Sequence, residues 1–298
     1  MISDLLKKGL RVILRNIFRP FLSEVTYLKL RYLIEMGKKL PLDNPVTMNE
    51  KLQWLKLNNR YKELTDLVDK IKVKDIIAAK IGSKYIIPTI EVWNSSREIN
   101  LTSLPKQFVI KTNHSGGSLG VFICTDKYKV NIKDIRKKMS KSLKEDIYYN
   151  FIEWPYKNVD RKIFAERYMG ENLIDYKFYC FNGEVDSVLV CLDRALGKPK
   201  FYFFDREWNL RRYNKRGKEA PIDFTIPKPI GMNEMFDIAA KLSEGIPFVR
   251  VDLYNVNGKI YFGELTFYPD SGMDSNRLVE ADTYFGNKIN LSLSKIDC

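Results

Sequence analysis

Apolar positions along the chain switch between two periods, and the switches mark its elements. From Ile2 to Leu22 the spacing is helical: Ile2, Leu5, Leu6, Leu10, Ile13, Leu14, Ile17, Phe18 and Phe21 recur with Lys7, Lys8, Arg11, Arg15 and Arg19 between them. A capping box, Thr47-Met48-Asn49-Glu50, announces the next helix, with Leu52, Trp54, Leu55 and Leu57 behind it. A further helix is expected from about Leu64 to Lys80, ending near Gly82. From Phe108 the period shortens. Strands are expected at Phe108 to Lys111, Val121 to Cys124, Lys162 to Met169, Asp175 to Phe181, Val185 to Leu192 and Pro199 to Phe204. A helix from about Met232 to Leu242 precedes two strand-like runs, Phe248 to Val256 and Lys259 to Thr266, joined by Asn257-Gly258. That dipeptide between alternating runs is the strongest short hairpin signal.

Three stretches carry candidate chemistry. On the last hairpin, Arg250 and Asp252 share one phase, and Asp252 can approach Glu264 across the pair. Two carboxylates so placed form a hard oxygen site that suits Mg²⁺ completed by substrate phosphates; the plainer reading is a solvated surface hairpin. Upstream, Lys111 ends an apolar strand just before Thr112-Asn113-His114-Ser115-Gly116-Gly117-Ser118-Leu119-Gly120. Small residues there let backbone N–H groups close around phosphate oxygens, though a tight hairpin uses the same residues. His114, the single histidine, reads as a loop residue without a chemical role. The third stretch is the basic amphipathic start, too often charged to span a membrane. It suits either an anionic inner leaflet or docking on the protein body.

Composition narrows the classes. Fifty Lys and Arg against 37 Asp and Glu give a net charge of +13, which points to an anionic partner. No nucleic-acid-reading motif accompanies the charge, so nucleic acid is set aside. Cys124, Cys180, Cys191 and Cys298 have no metal-like spacing, and three of them sit in apolar runs as small hydrophobes. One histidine makes zinc catalysis and Ser-His-Asp chemistry unattractive. A reducing cytoplasm, or its membrane face, is the simplest location.

Taken in order, these stretches resemble the ATP-grasp superfamily across roughly residues 65 to 275. Asp69-Lys70 through Pro88 is similar to the lead-in helix and strand, and Lys111 through Gly120 to the strand lysine and the Gly/Ser loop over the phosphates. Phe164 through Met169 looks like the adenine hinge, Asp175-Tyr176-Lys177 like the ribose-binding strand, and Arg250-Val251-Asp252 with Glu264-Leu265-Thr266 like the metal hairpin. Thr47 through Trp54, Asp175 through Gly183 and Gly263 through Pro269 carry a closer likeness to the TupA-like branch, associated with capsule, teichuronopeptide and other surface polysaccharide synthesis.

The resemblance implies an α+β fold in which two lobes, with mainly antiparallel sheets, clamp ATP. A helical segment at 1–64 precedes lobes at 65–165 and 166–298. It implies ATP and Mg²⁺ as cofactors. Lys74, Lys111, Ser115, Gly116, Gly117 and Ser118 would lie on the phosphates, and Glu166, Arg167, Tyr168 and Asp175 on the nucleoside. Asp252, Glu264 and Thr266 would hold metal, and Arg250 and Lys177 would be catalytic. Where most such ligases carry a second-metal asparagine, this chain has Thr266, and Asp270 is a further candidate ligand. The implied reaction is a carboxylate–amine ligation through an acylphosphate, on an anionic saccharide or polysaccharide precursor. A glycosyltransferase or a non-catalytic nucleotide-binding partner are the rival readings.

Overall fold

A computed structural model describes residues 4–117, 119–171, 173–193 and 199–294. Its class is α+β, and every strand pair in its two sheets is antiparallel.

The N-terminal periodicity gives α1 (Asp4–Ile13), but the helix does not run on to Leu22 in α form. It widens into a π stretch at Leu14–Phe18 and tightens into a 3-10 turn at Arg19–Phe21. Pro20 in that turn has no N–H to continue an α ladder. Helix α2 (Glu24–Met36) follows, capped by the Ser23 hydroxyl, and α3 (Met48–Asn58) carries the capping box as read.

The single helix expected from Leu64 to Lys80 is two: α4 (Glu63–Val68) and α5 (Lys72–Ile81). Asp69 breaks it. Its backbone is extended, and its carboxylate accepts from the N–H groups of Ile71 and Lys72, so a local turn replaces the helical ladder.

A four-stranded sheet of order β1-β4-β2-β3 is built from β1 (Thr89–Trp93), β2 (Phe108–Thr112), β3 (Val121–Cys124) and β4 (Ile163–Arg167). Strand β4 stops at Arg167, one residue short of Tyr168. Helix α6 (Ile132–Leu143) covers the sheet with Ile135 and Met139, closing a core with Trp93, Phe108, Ile110 and Ile163. Short α7 (Ile147–Phe151) leads on.

The second sheet has six strands, ordered β10-β9-β5-β6-β7-β8. They are β5 (Asp175–Phe181), β6 (Glu184–Leu192), β7 (Lys200–Phe204), β8 (Leu210–Arg211), β9 (Val249–Val256) and β10 (Lys259–Thr266). Helix α8 (Lys215–Glu219) follows β8. Helix α9 (Met232–Ser243) packs Met235, Phe236 and Ala239 into the core under this sheet. Helix α10 (Val279–Lys288) adds Phe285, stacked near Tyr179 and Phe181. The predicted turn at Asn257-Gly258 uses left-handed backbone, as does Asn182-Gly183 between β5 and β6. Cys124, Cys180 and Cys191 are buried as expected; Cys298 lies outside the described residues.

Helix α3 is buried on the C-terminal part of the chain. Asn49 accepts from the Asp274 N–H and donates to Asp282, Gln53 donates to the Gly272 carbonyl, and Lys56 donates to Ser271. Gly286 of α10 lies directly against the α3 cap: a Cβ there would stand 2.1 Å from the Val46 carbonyl oxygen.

Candidate functional site

Register brings the predicted residues of the large sheet onto one face. Asp175 pairs with Tyr254, Lys177 with Asp252 and Tyr179 with Arg250 across β5 and β9. Alternation keeps Arg250, Asp252 and Tyr254 in phase. Strand β10 would not follow suit unaided. Its first pairs, Lys259 with Val256 through Phe262 with Leu253, set a register that would place Gly263 opposite Asp252 and turn Glu264 to the far face. One extra residue at Gly263 shifts the ladder, so Glu264 pairs with Asp252 and Thr266 with Arg250. Only glycine fits there: a Cβ would lie 2.9 Å from the Asp252 carbonyl oxygen and 3.1 Å from the Tyr254 ring.

On this face the charges are densely paired. Arg250 grips Asp252 with two N–H···O bonds of 2.7 Å and reaches the Thr266 hydroxyl at 3.1 Å. Lys177 donates to Asp252 Oδ2, an oxygen it shares with Arg250, at 2.5 Å and stands 3.5 Å from Asp175. Glu264 meets Lys70 at 3.1 Å and Arg250 at 3.8 Å. The plainer reading of this stretch as a solvated surface hairpin is therefore incorrect. Asp252 is 2% exposed and shared by two cations. Burial alone would raise the Glu264 carboxyl, but Lys70, Lys177 and Arg250 override it and hold it at about 2.

A second cluster sits on the four-stranded sheet. Glu166, buried, is held between Lys111 and Lys74, with Lys74 at 3.1 Å and also donating to Thr89 and the Ile87 carbonyl. Burial pushes the Glu166 carboxyl up; the two lysines outweigh it and keep it below the usual range. Arg167 is exposed and Tyr168 lies just past the strand end. Tyr254 faces both clusters: burial and the carboxylates of Asp175, Glu264, Glu166 and Asp252 push its phenol well above its ordinary pKa.

Between the sheets lies Lys70, which sequence reading passed over in favour of Lys74. Its ammonium donates to the Ser115 carbonyl at 2.9 Å while pairing with Glu264, so one side chain ties the Gly/Ser loop to the hairpin. The only hint was its place beside the helix-breaking Asp69. The Ser115 side chain turns inward, its hydroxyl bonded to that of Thr112, whereas Gly116 and Gly117 are exposed; Ser118 lies outside the described residues. Asp270 has a left-handed backbone, and its carboxyl is raised by burial and by Asp274.

His114, in that loop, is 1% exposed, and burial with Arg161 and Lys70 nearby holds its imidazole at about 4. Between pH 6.5 and 4 the unfolded chain takes up a proton there that the folded chain refuses, so stability should fall as pH falls through this window. Glu264 adds a second loss as pH drops from 4.5 toward 2. Urea midpoints measured against pH should show both slopes, and His114→Gln should flatten only the upper one. An unaltered upper slope in that variant would refute the assignment.

Among the described residues no group of three or more His, Cys, Asp or Glu gathers around one point. The Asp252–Glu264 pair nonetheless fits Mg²⁺, being two hard carboxylates at paired positions with Glu264 partly open to solvent.

In overall structure the chain is similar to the D-alanine–D-alanine ligase of Bacillus anthracis, at 16% identity over 97% of this chain and 93% of that one, TM-score 0.46. It is also similar to the Helicobacter pylori D-alanine–D-alanine ligase, at 12% identity over 83% and 68%, TM-score 0.43. A third similar structure is the ATP-grasp ligase PsnB with a minimal precursor, at 10% identity over 86% and 67%, TM-score 0.40. No curated protein matches. The family model described as TupA-like ATPgrasp matches residues 50–290, the greater part of the sequence and all of the strands above. The chain belongs to the TupA-like ATP-grasp family.

Proposed function

We propose that the protein is an ATP- and Mg²⁺-dependent ligase that joins a carboxylate to an amine or similar nucleophile. Its acceptor is a uronic acid of a cell-surface polysaccharide precursor. Its two lobes, expected from sequence at 65–165 and 166–298 after a helical segment at 1–64, would divide just past β4, which belongs whole to the first sheet. The observation that carries the reading is the Gly263 bulge, which turns Glu264 onto the face of Asp252, Arg250 and Lys177 and within reach of Lys70. A solvated surface hairpin has no use for that arrangement.

In this reading Lys74, Lys111 and Lys177 neutralise the triphosphate, and Gly116 and Gly117 present backbone N–H groups to it. Ser115 and Ser118 flank those glycines. Glu166, Arg167 and Tyr168 hold the base and Asp175 the ribose. Asp252 and Glu264, with the Thr266 hydroxyl beside them, would hold Mg²⁺, which would supply charge neutralisation to the phosphates. The substrate carboxylate attacks the γ-phosphorus, the bond to the β-phosphate oxygen breaks, and ADP leaves. The nucleophile then adds to the acylphosphate carbon, sheds its proton, and expels phosphate. Arg250 would stabilise negative charge on the acylphosphate and on the tetrahedral species that follows it. Little covalent help is asked of the protein, whose task is positioning.

Two measurements test this. Mg-ATP at about a hundred times its Kd should stabilise the fold by roughly 2.7 kcal/mol, and Mg-UDP-sugars should not. With uronic acids and amines present, ADP and phosphate should be released together. Stabilisation by Mg-UDP-sugars alone would replace the ligase with a glycosyltransferase. Nucleotide binding with no turnover on any acid would leave a non-catalytic partner.

A further inference from the structure

Helix α1 docks on the protein in an unusual sense. Its inward side is largely cationic: Lys7 donates to the Glu35 carbonyl at 2.9 Å, and Arg11 pairs with the Glu35 carboxylate at 2.6 Å. Leu14 is the buried apolar residue of this segment, inserted beside Tyr27, Leu28 and Tyr32 of α2. The outward side is apolar. Leu5 is 83% exposed and Phe21 85%, and Val12, Ile13, Ile17 and Phe18 between them are each exposed too. A packing helix buries this stripe rather than its charges.

A cationic cleft of about 160 Å³ adjoins the stripe, lined by Lys8, Arg11, Arg15, Arg31, Val12 and Phe151. Val12 belongs to both the cleft and the stripe. Glu35 is the only carboxylate that any of the four cations meets among the described residues, and Arg11 and Arg31 share it. Among the described residues Lys8 and Arg15 form no ion pair, so the cleft keeps a net positive charge beside an exposed apolar ridge. No described helix is long and apolar enough to cross a membrane.

We propose that this face lies on an anionic lipid surface, with the apolar ridge entering the headgroup–acyl boundary and the cleft receiving lipid phosphates. Charge selects this occupant over a second copy of the chain. A two-fold contact through the same patch would bring two cationic clefts together. The inference stands apart from the nucleotide reading, because none of these residues belongs to the paired clusters.

The full chain should co-sediment with vesicles of phosphatidylcholine mixed with phosphatidylglycerol, far less with phosphatidylcholine alone, and less at high salt. Each basic residue near such a surface is worth roughly five-fold, so Lys8→Gln with Arg15→Gln should weaken binding about 25-fold. Leu5→Ser with Phe21→Ser should weaken it by at least about ten-fold while leaving the thermal transition in place. Should the serine variant unfold, the charge variant decides alone. Failure to bind the mixed vesicles, or equal binding to both kinds, overturns the proposal. So does a dimer in light scattering that Phe21→Ser dissociates.

Discussion

Asp252→Ala should lower the proposed ligase activity by at least about a hundred-fold, the scale expected when a group that would hold the metal beside the reacting phosphates is lost. It should also destabilise the fold by about 3–5 kcal/mol. Both effects come from one geometry. Asp252, itself nearly closed to water, is the shared partner of Arg250 and Lys177, so truncating it leaves two crowded cations without the carboxylate that holds them together. From sequence alone, neutralising it as Asp252→Asn changes stability little, or raises it by relieving repulsion with Glu264. The ion pairs reverse that sign. Asp252→Asn, which keeps the shape and some hydrogen bonds, should lose comparable activity at smaller structural cost. Urea unfolding and single-turnover assays on the two variants separate the effects. A stable Asp252→Ala protein would mean that the pairing with Arg250 and Lys177 contributes nothing net.

The second large effect concerns packing. Helix propensity favours alanine over an interior glycine by about 1 kcal/mol, so Gly286→Ala in α10 looks stabilising. Packing says otherwise. The new methyl would meet the Val46 carbonyl oxygen at 2.1 Å, the Thr47 carbonyl carbon at 2.8 Å and the Met48 nitrogen at 2.9 Å, all backbone atoms of the α3 cap. No side chain can swing aside, so helix must part from helix, at a cost of at least about 3 kcal/mol. A urea midpoint at or above the parent's would show that α10 and α3 are not seated as described. A lowered midpoint with near-normal ADP release would confine the damage to the scaffold.

The hairpin and its acids were legible because Asn257-Gly258 fixes a turn and alternation fixes phase. What alternation could not supply was the Gly263 bulge. A glycine between Phe262 and Glu264 signals a bulge or close approach, yet nothing local says which strand takes the extra residue. Lys70 was hidden for another reason. Its partners, the Ser115 carbonyl and Glu264, come from two sheets, and their meeting depends on how the lobes close. Asp69 breaks a helix that periodicity runs straight through, because a carboxylate bonded to its own backbone leaves no trace in the hydrophobic pattern. The N-terminal stripe read correctly as amphipathic, but which side faces the protein follows from Glu35, and that pairing has no periodicity.

The seating of α3 also bears on how the chain reaches its native state. Asn49, Gln53 and Lys56 find their partners 233, 219 and 215 positions further on. Loop closure over such spans is costly, and contacts this distant slow the search. On the ribosome, where synthesis proceeds at about 5–20 residues per second, these groups must wait on the order of ten seconds or more for the segment that satisfies them. Meanwhile a helix with three polar groups on its inward side stands unseated. Helix α3, made early, is thus among the last elements to settle, after the strands between it and its partners have formed.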